Sequence, residues 1–189
     1  MKRCVLFLML VVMSLSMESC RNQESIEKTI LSMSQQPVIL PLEEMDCCTP
    51  EISQHHWYEP LVNVERNESA YKLVVFTDST QCSSCFIGHL SIWNDLLEWE
   101  DSGLLDFIFI VEPKFGEHQR IAELLHSSIL NHSVYLDTYN SFRLSNPQLP
   151  QNSIYHTFLL DNDNHVVIVG DPVRNAKIKD MMEMVINHQ

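Results

Sequence analysis

The feature that most constrains this chain is Cys82-Ser83-Ser84-Cys85, two thiols separated by two small residues and placed just after the apolar run Tyr71-Lys72-Leu73-Val74-Val75-Phe76. Residues 72–77 read as a buried strand. Residues 82–99 read as an amphipathic helix, with Cys85, His89, Ile92, Leu96 and Trp99 recurring at steps of three or four. A strand that delivers Cys-x-x-Cys to the start of a helix couples fold to chemistry. The helix N-terminus carries unpaired N–H groups and a partial positive charge, both of which favour thiolate over thiol. Cys82, nearer the helix start, is therefore expected to be the nucleophile. Cys85, one turn further in and expected to be more buried, would resolve the mixed disulfide.

From residue 71 onward, strand-like and helix-like segments alternate. Residues 105–111 read as a second buried strand, 115–130 as a helix, 133–136 as a short strand and 139–144 as a brief helical turn. Residues 157–160 and 166–169 flank Asp161-Asn162-Asp163-Asn164, a turn-rich tetrapeptide that predicts a hairpin, and residues 175–187 close the chain as an amphipathic helix. Upstream, the proline-bounded run 37–41 suits an edge strand. Residues 52–67 read as irregular, with one short strand at 61–64.

The N-terminus has a different character. Lys2 and Arg3 precede an apolar stretch over residues 4–13, then a more polar stretch of mostly small residues that ends before Cys20. The apolar part is too short to span a bilayer. This order resembles a bacterial lipoprotein signal, which implies cleavage before Cys20 and acylation of that cysteine. The expected organisation is a signal peptide over 1–19, a polar tether over 20–36 and one domain over 37–189. In that domain an irregular extension precedes the core at 71–189.

Charge and cysteine usage follow from that division. Losing Lys2, Arg3 and Glu18 leaves ten basic against twenty-four acidic residues, a net of −14. Such a chain is poorly suited to nucleic acid or to an anionic lipid surface. Membrane attachment would come from acyl chains alone. With Cys4 removed and Cys20 acylated, Cys47, Cys48, Cys82 and Cys85 remain in a compartment where disulfides persist.

The element order βαβ, helix, strand, hairpin and terminal helix, with Cys-x-x-Cys after the first buried strand, resembles the thioredoxin-like or redoxin family. In style it is similar to membrane-tethered periplasmic members such as TlpA. The resemblance covers residues 71–188 and implies an α/β fold with a central mixed sheet flanked by helices. It also implies a thiol–disulfide oxidoreductase of the cell envelope, periplasmic or associated with the outer membrane. Its partners would be protein thiols and disulfides together with an upstream electron donor, and neither cofactor nor metal is assigned.

Two positions depart from that pattern. Gln81 stands where an aromatic residue usually precedes the first cysteine, and Tyr155 or His156 stands where the family has a cis-proline. His156, in a loop expected to face Cys82, is a candidate for proton exchange with the thiols, and Tyr155 for substrate contact. Asp78 is a candidate proton acceptor for Cys85. Cys47 and Cys48 could close a strained ring, pair elsewhere or pass electrons to the first pair; a structural role is the plainer reading.

Other functions remain open at this stage. Cys82, Cys85 and His89 lie at gaps of two and three residues, and His55-His56 or Cys47-Cys48 would complete a soft ligand set for copper or zinc. A non-catalytic binding module is the third class. Peroxidase chemistry is less favoured, because Val75 and Ser79 fall where a peroxiredoxin needs proline and threonine; haem attachment is a separate reading, and it fails because Phe86 stands where histidine is required.

Overall fold

The computed structural model describes residues 25–49 and 70–187. The leader, Cys20, the strand at 61–64 and the His55-His56 pair lie outside the described residues. The chain divides into two compact units, Met1–Gln36 and Pro37–Gln189. In the first, residues 25–34 form a helix, α1, within the stretch expected to be a polar tether. The hydroxyls of Thr29, Ser32 and Ser34 donate to the carbonyls of Ser25, Thr29 and Leu31 at 2.9, 2.7 and 3.0 Å. Polar residues are thus absorbed into the helix itself. Among the described residues no helix is long and apolar enough to cross a membrane.

In the second unit the order is a 3-10 turn at Leu42–Glu44, β1 at Asp46–Cys48, β2 at Tyr71–Thr77, α2 at Ser83–Gly88 and a 3-10 helix at Leu90–Ser102. Then follow β3 at Leu105–Val111, α3 at His118–His126, β4 at Val134–Leu136 and α4 at Ser141–Ser145. A 3-10 turn at Ser153–Tyr155, β5 at Thr157–Leu160, β6 at Val166–Val169 and α5 at Ala176–Asn187 complete it. The strands form one sheet in the order β1-β4-β3-β2-β5-β6. β2 pairs in parallel with β3, and β3 with β4, while β1, β5 and β6 run antiparallel to their neighbours. This is the expected mixed sheet with flanking helices.

The strands β2 and β3 are central because both of their faces are apolar. Leu73, Val75, Phe107, Phe109 and Val111 point to the face covered by the long 3-10 helix, α3 and α5, through Trp93, Leu96, Ile121, Leu125, Met182 and Ile186. Each large side chain buried there contributes on the order of 2 kcal/mol. On the opposite face the ring of Phe142, from α4, meets Phe76 edge-on at 5.0 Å. At the end of β6, Gly170 (φ 141°) makes room for α5: a Cβ there would come within 2.9 Å of Ile178.

Several boundaries differ from the sequence expectation. The single helix over 82–99 is two helices of different pitch, broken at His89 (φ −113°, ψ 6°). The buried residues Leu90, Trp93 and Leu96 recur at three-residue steps, the period of a 3-10 helix, and Ile92 is exposed. The helix over 115–130 shrinks to α3 because Gly116 adopts φ 79°, incompatible with a helical start. Residues 37–41 form no strand. Instead Asn146 brackets Ile39, accepting its N–H through Oδ1 and donating from Nδ2 to its carbonyl, both at 2.8 Å.

Candidate functional site

Where β2 ends, the chain must turn from strand to helix within five residues, and buried charge fixes that turn. Asp78 Oδ1 accepts from the N–H of Thr80 at 3.0 Å and from its hydroxyl at 2.6 Å. Asp78 Oδ2 pairs with Arg143 Nη2 at 2.8 Å. In register, Thr77 lies beside Val111, so Asp78 and Glu112 extend neighbouring parallel strands. Glu112 takes hydrogen bonds from the Ser79 hydroxyl and, at 3.4 Å, from its N–H, and it faces Arg143 Nε at 3.9 Å. One guanidinium thus serves two buried carboxylates, and it also lies 5.2 Å from the centre of the Phe76 ring.

Arg143 is itself placed by Asp137. That fully buried carboxylate accepts from the N–H groups of Ser141 and Phe142 at 2.8 and 2.9 Å, which orients α4. Neither Arg143 nor Glu112 stands out as a site residue in the sequence. The available signal is an acid at the same register position after two buried strands, because two buried carboxylates side by side require a cation.

Beyond this turn, Cys82 occupies the N-cap of α2, and its Sγ accepts the Cys85 N–H at 3.2 Å. The sulfurs of Cys82 and Cys85 are bonded to each other. Both cysteines are exposed, Cys85 included although it lies one turn further in. The cause is helical phase. Ser83 and Ile87, four residues apart, take the inward face of α2, which leaves Cys82 and Cys85 on the open one.

The open face borders a cleft of about 450 Å³. Cys82, Cys85, Phe86, Ile92, Trp93 and Ile154 supply most of its character: a disulfide set in an apolar wall. His89 also lines it. Opposite α2 the wall is made by Ser153, Ile154 and Thr157, not by Tyr155 or His156. The described residues contain no cis peptide bond.

His156 is buried behind this wall. Its Nε2 donates to the Pro150 carbonyl at 2.9 Å, which leaves Nδ1 to accept from Gln81 Nε2 at 3.3 Å. Its Nδ1 lies 3.9 Å from Asp78 Oδ2. Burial is the main influence on the ring and holds its pKa below the ordinary 6.5. For Asp78 burial acts upward, but the Thr80 hydrogen bonds and the charges of His156 and Arg143 outweigh it and hold the carboxyl below 3.8. Asp78 therefore stays ionised near neutral pH, anchoring the turn through Arg143. Gln81, which lines the cleft, links it to His156.

The second cysteine pair lies elsewhere. Cys47 and Cys48 are on β1, opposite Tyr135 and Val134 of β4. Two strands, β4 and β3, separate β1 from β2, a distance of about 14 Å at normal strand spacing. Successive strand residues face opposite sides, so the two side chains diverge. Cys48 is buried, and burial, reinforced by the neighbouring Cys47 and Asp46, pushes its thiol up to about 12.

Comparison with known proteins finds only distant similarity. No protein-family model matches the chain, and no curated protein does. The chain is similar to the structure of a putative thiol:disulfide interchange protein DsbE from Chlorobium tepidum. Identity is 12%, coverage 75% of this chain and 90% of that one, and the TM-score 0.45. An uncharacterized thioredoxin-like protein from Porphyromonas gingivalis aligns at 14% identity over 80% and 90% of the two chains, with a TM-score of 0.44. A domain of a possible thiol-disulfide isomerase from Cytophaga hutchinsonii aligns at 14% identity over 82% and 95%, with a TM-score of 0.42.

Proposed function

We propose that this chain is a thiol–disulfide oxidoreductase of the cell envelope in which Cys82 is the nucleophile and Cys85 the resolving thiol. The observation that carries the reading is the exposed Cys82–Cys85 pair at the start of α2, with the Cys85 N–H directed at Cys82 Sγ. That N–H favours a thiolate on Cys82 once the pair is reduced. In the reductive direction, Cys82 thiolate attacks one sulfur of a substrate disulfide. That S–S bond breaks, and its other sulfur leaves as a thiolate that takes up a proton. Cys85, deprotonated, then attacks Cys82 Sγ, which expels the second substrate thiol and leaves Cys82 and Cys85 bridged. An upstream dithiol supplies the two electrons that reset the pair, and the reverse sequence oxidises a substrate dithiol.

The leader of residues 1–19 and Cys20 support the second half of the proposal, a domain held at the membrane by acyl chains on Cys20 and facing protein thiols on the periplasmic or outer-membrane side. One experiment addresses both halves. A Cys85→Ala chain expressed in a bacterial envelope should accumulate mixed disulfides through Cys82, recovered in the membrane fraction and shifted to the soluble fraction by Cys20→Ala. No adduct, or adducts that persist in a Cys82→Ser, Cys85→Ala chain, would rule out the exchange chemistry. An unshifted fraction would remove the tether.

A further inference from the structure

At the opposite end of β3 from the cysteine cleft, the geometry points to a site for a divalent first-row transition ion formed by Glu100, Asp106 and His132. One ligand atom from each residue lies within 4.8 Å of the other two, and all three residues are partly buried. They come from three segments: the end of the long 3-10 helix, the second residue of β3, and the loop before β4. The fold creates the opening. β4 begins opposite Phe109, so it stops short of Asp106 and leaves a notch in the sheet edge. His132 lies in that notch, with ring centroids 6.5 and 5.4 Å from Phe107 and Phe109.

The donor set is arranged as a cation site requires. His132 Nε2 donates to Glu100 Oε1 at 3.1 Å through a proton that a dication would replace, and Nδ1 donates outward to the Ser133 carbonyl at 2.8 Å. An outward hydrogen bond of this kind is how metal-bound imidazoles are oriented. Glu100 is held in turn, accepting the Phe107 N–H at 2.8 Å. The two carboxylates converge on the same imidazole in a partly desolvated notch, and a dication in place of the single Nε2 proton would neutralise both at once. One imidazole and two carboxylates with no sulfur suit zinc or manganese, with water completing an open coordination sphere.

Zinc is the probe for the test, added to the chelator-stripped full chain with the Cys82–Cys85 disulfide intact. Calorimetry should give one equivalent bound, weakened at least tenfold in Asp106→Asn and in His132→Gln, and the thermal midpoint should rise with zinc only where that binding persists. Binding unchanged in both variants, or none at millimolar zinc, overturns the site. Should the variants fail to fold, cobalt substitution of the unaltered chain decides the question. A visible spectrum without thiolate-to-cobalt charge transfer supports the site, and a charge-transfer band assigns the metal to Cys47 and Cys48 instead.

Discussion

The two cysteine pairs of this protein occupy opposite kinds of backbone. Cys47 and Cys48 belong to a strand, where adjacent side chains diverge and one of them, Cys48, is buried. Cys82 and Cys85 sit on one face of a helical turn, where a spacing of three brings the sulfurs together. The ordinary thiol value in this comparison is 9.0, and burial moves Cys48 up to about 12. That is about a thousandfold less thiolate at neutral pH. The lesson is that the backbone around a cysteine, more than the cysteine itself, sets its availability.

The comparison would break most visibly in labelling rates. With the protein reduced but folded, iodoacetamide should modify Cys82 on the order of 10³ times faster than Cys48, as read by peptide mass spectrometry. Similar rates would mean that β1 opens readily and exposes Cys48.

A second test addresses what holds each pair. β1 is held by its ladder with β4, whereas the turn carrying Cys82 is held by Asp78, Arg143 and Glu112. Arg143→Met leaves two buried carboxylates without their cation and should cost about 3 kcal/mol in urea unfolding. It should also alter hydrogen exchange in residues 78–85 more than in β1, and a uniform change would erase the distinction.

The smallest effect concerns pH. The folded pKa of His156 lies below its ordinary 6.5, so between the two values the unfolded chain binds more protons than the folded one. Stability from this group is present above pH 6.5 and declines as pH falls through the folded value. The urea midpoint should drop in that window, and less so in His156→Gln. Asp78, held below 3.8, should add a second decline in stronger acid. A midpoint that rose on acidification would contradict both assignments.

Much of this was legible in the sequence where local pattern and tertiary role coincide. β2 and β3 are continuous apolar runs because both faces are buried, and the β5–β6 turn falls on Asp161–Asn164, with Asn164 at φ 63°. The cysteine pair was legible for the same reason, since its spacing is its geometry. β1 was not, because Asp46, Cys47 and Cys48 carry no strand pattern and acquire one only by pairing with residues 134–136. The charged support behind Cys82 was equally hidden. Asp78, Glu112 and Arg143 are far apart in sequence and meet only through strand register and the placement of α4. Helical pitch was misread because apolar spacings of three and four look alike until the buried set Leu90, Trp93 and Leu96 is known.

That pitch has a mechanical consequence. At about 2.0 Å per residue, thirteen residues of 3-10 helix reach about 26 Å, where an α-helix would reach about 20 Å. Leu90–Ser102 therefore works as a long spacer, carrying Glu100 from the cysteine end to the start of β3, where it receives the Phe107 N–H. With three residues per turn, one inserted residue rotates everything beyond it by about 120°. An insertion after Trp93 would turn Leu96 out of the interior and swing Glu100 away from His132, so the length of this segment is constrained residue by residue even where its exposed side chains are not.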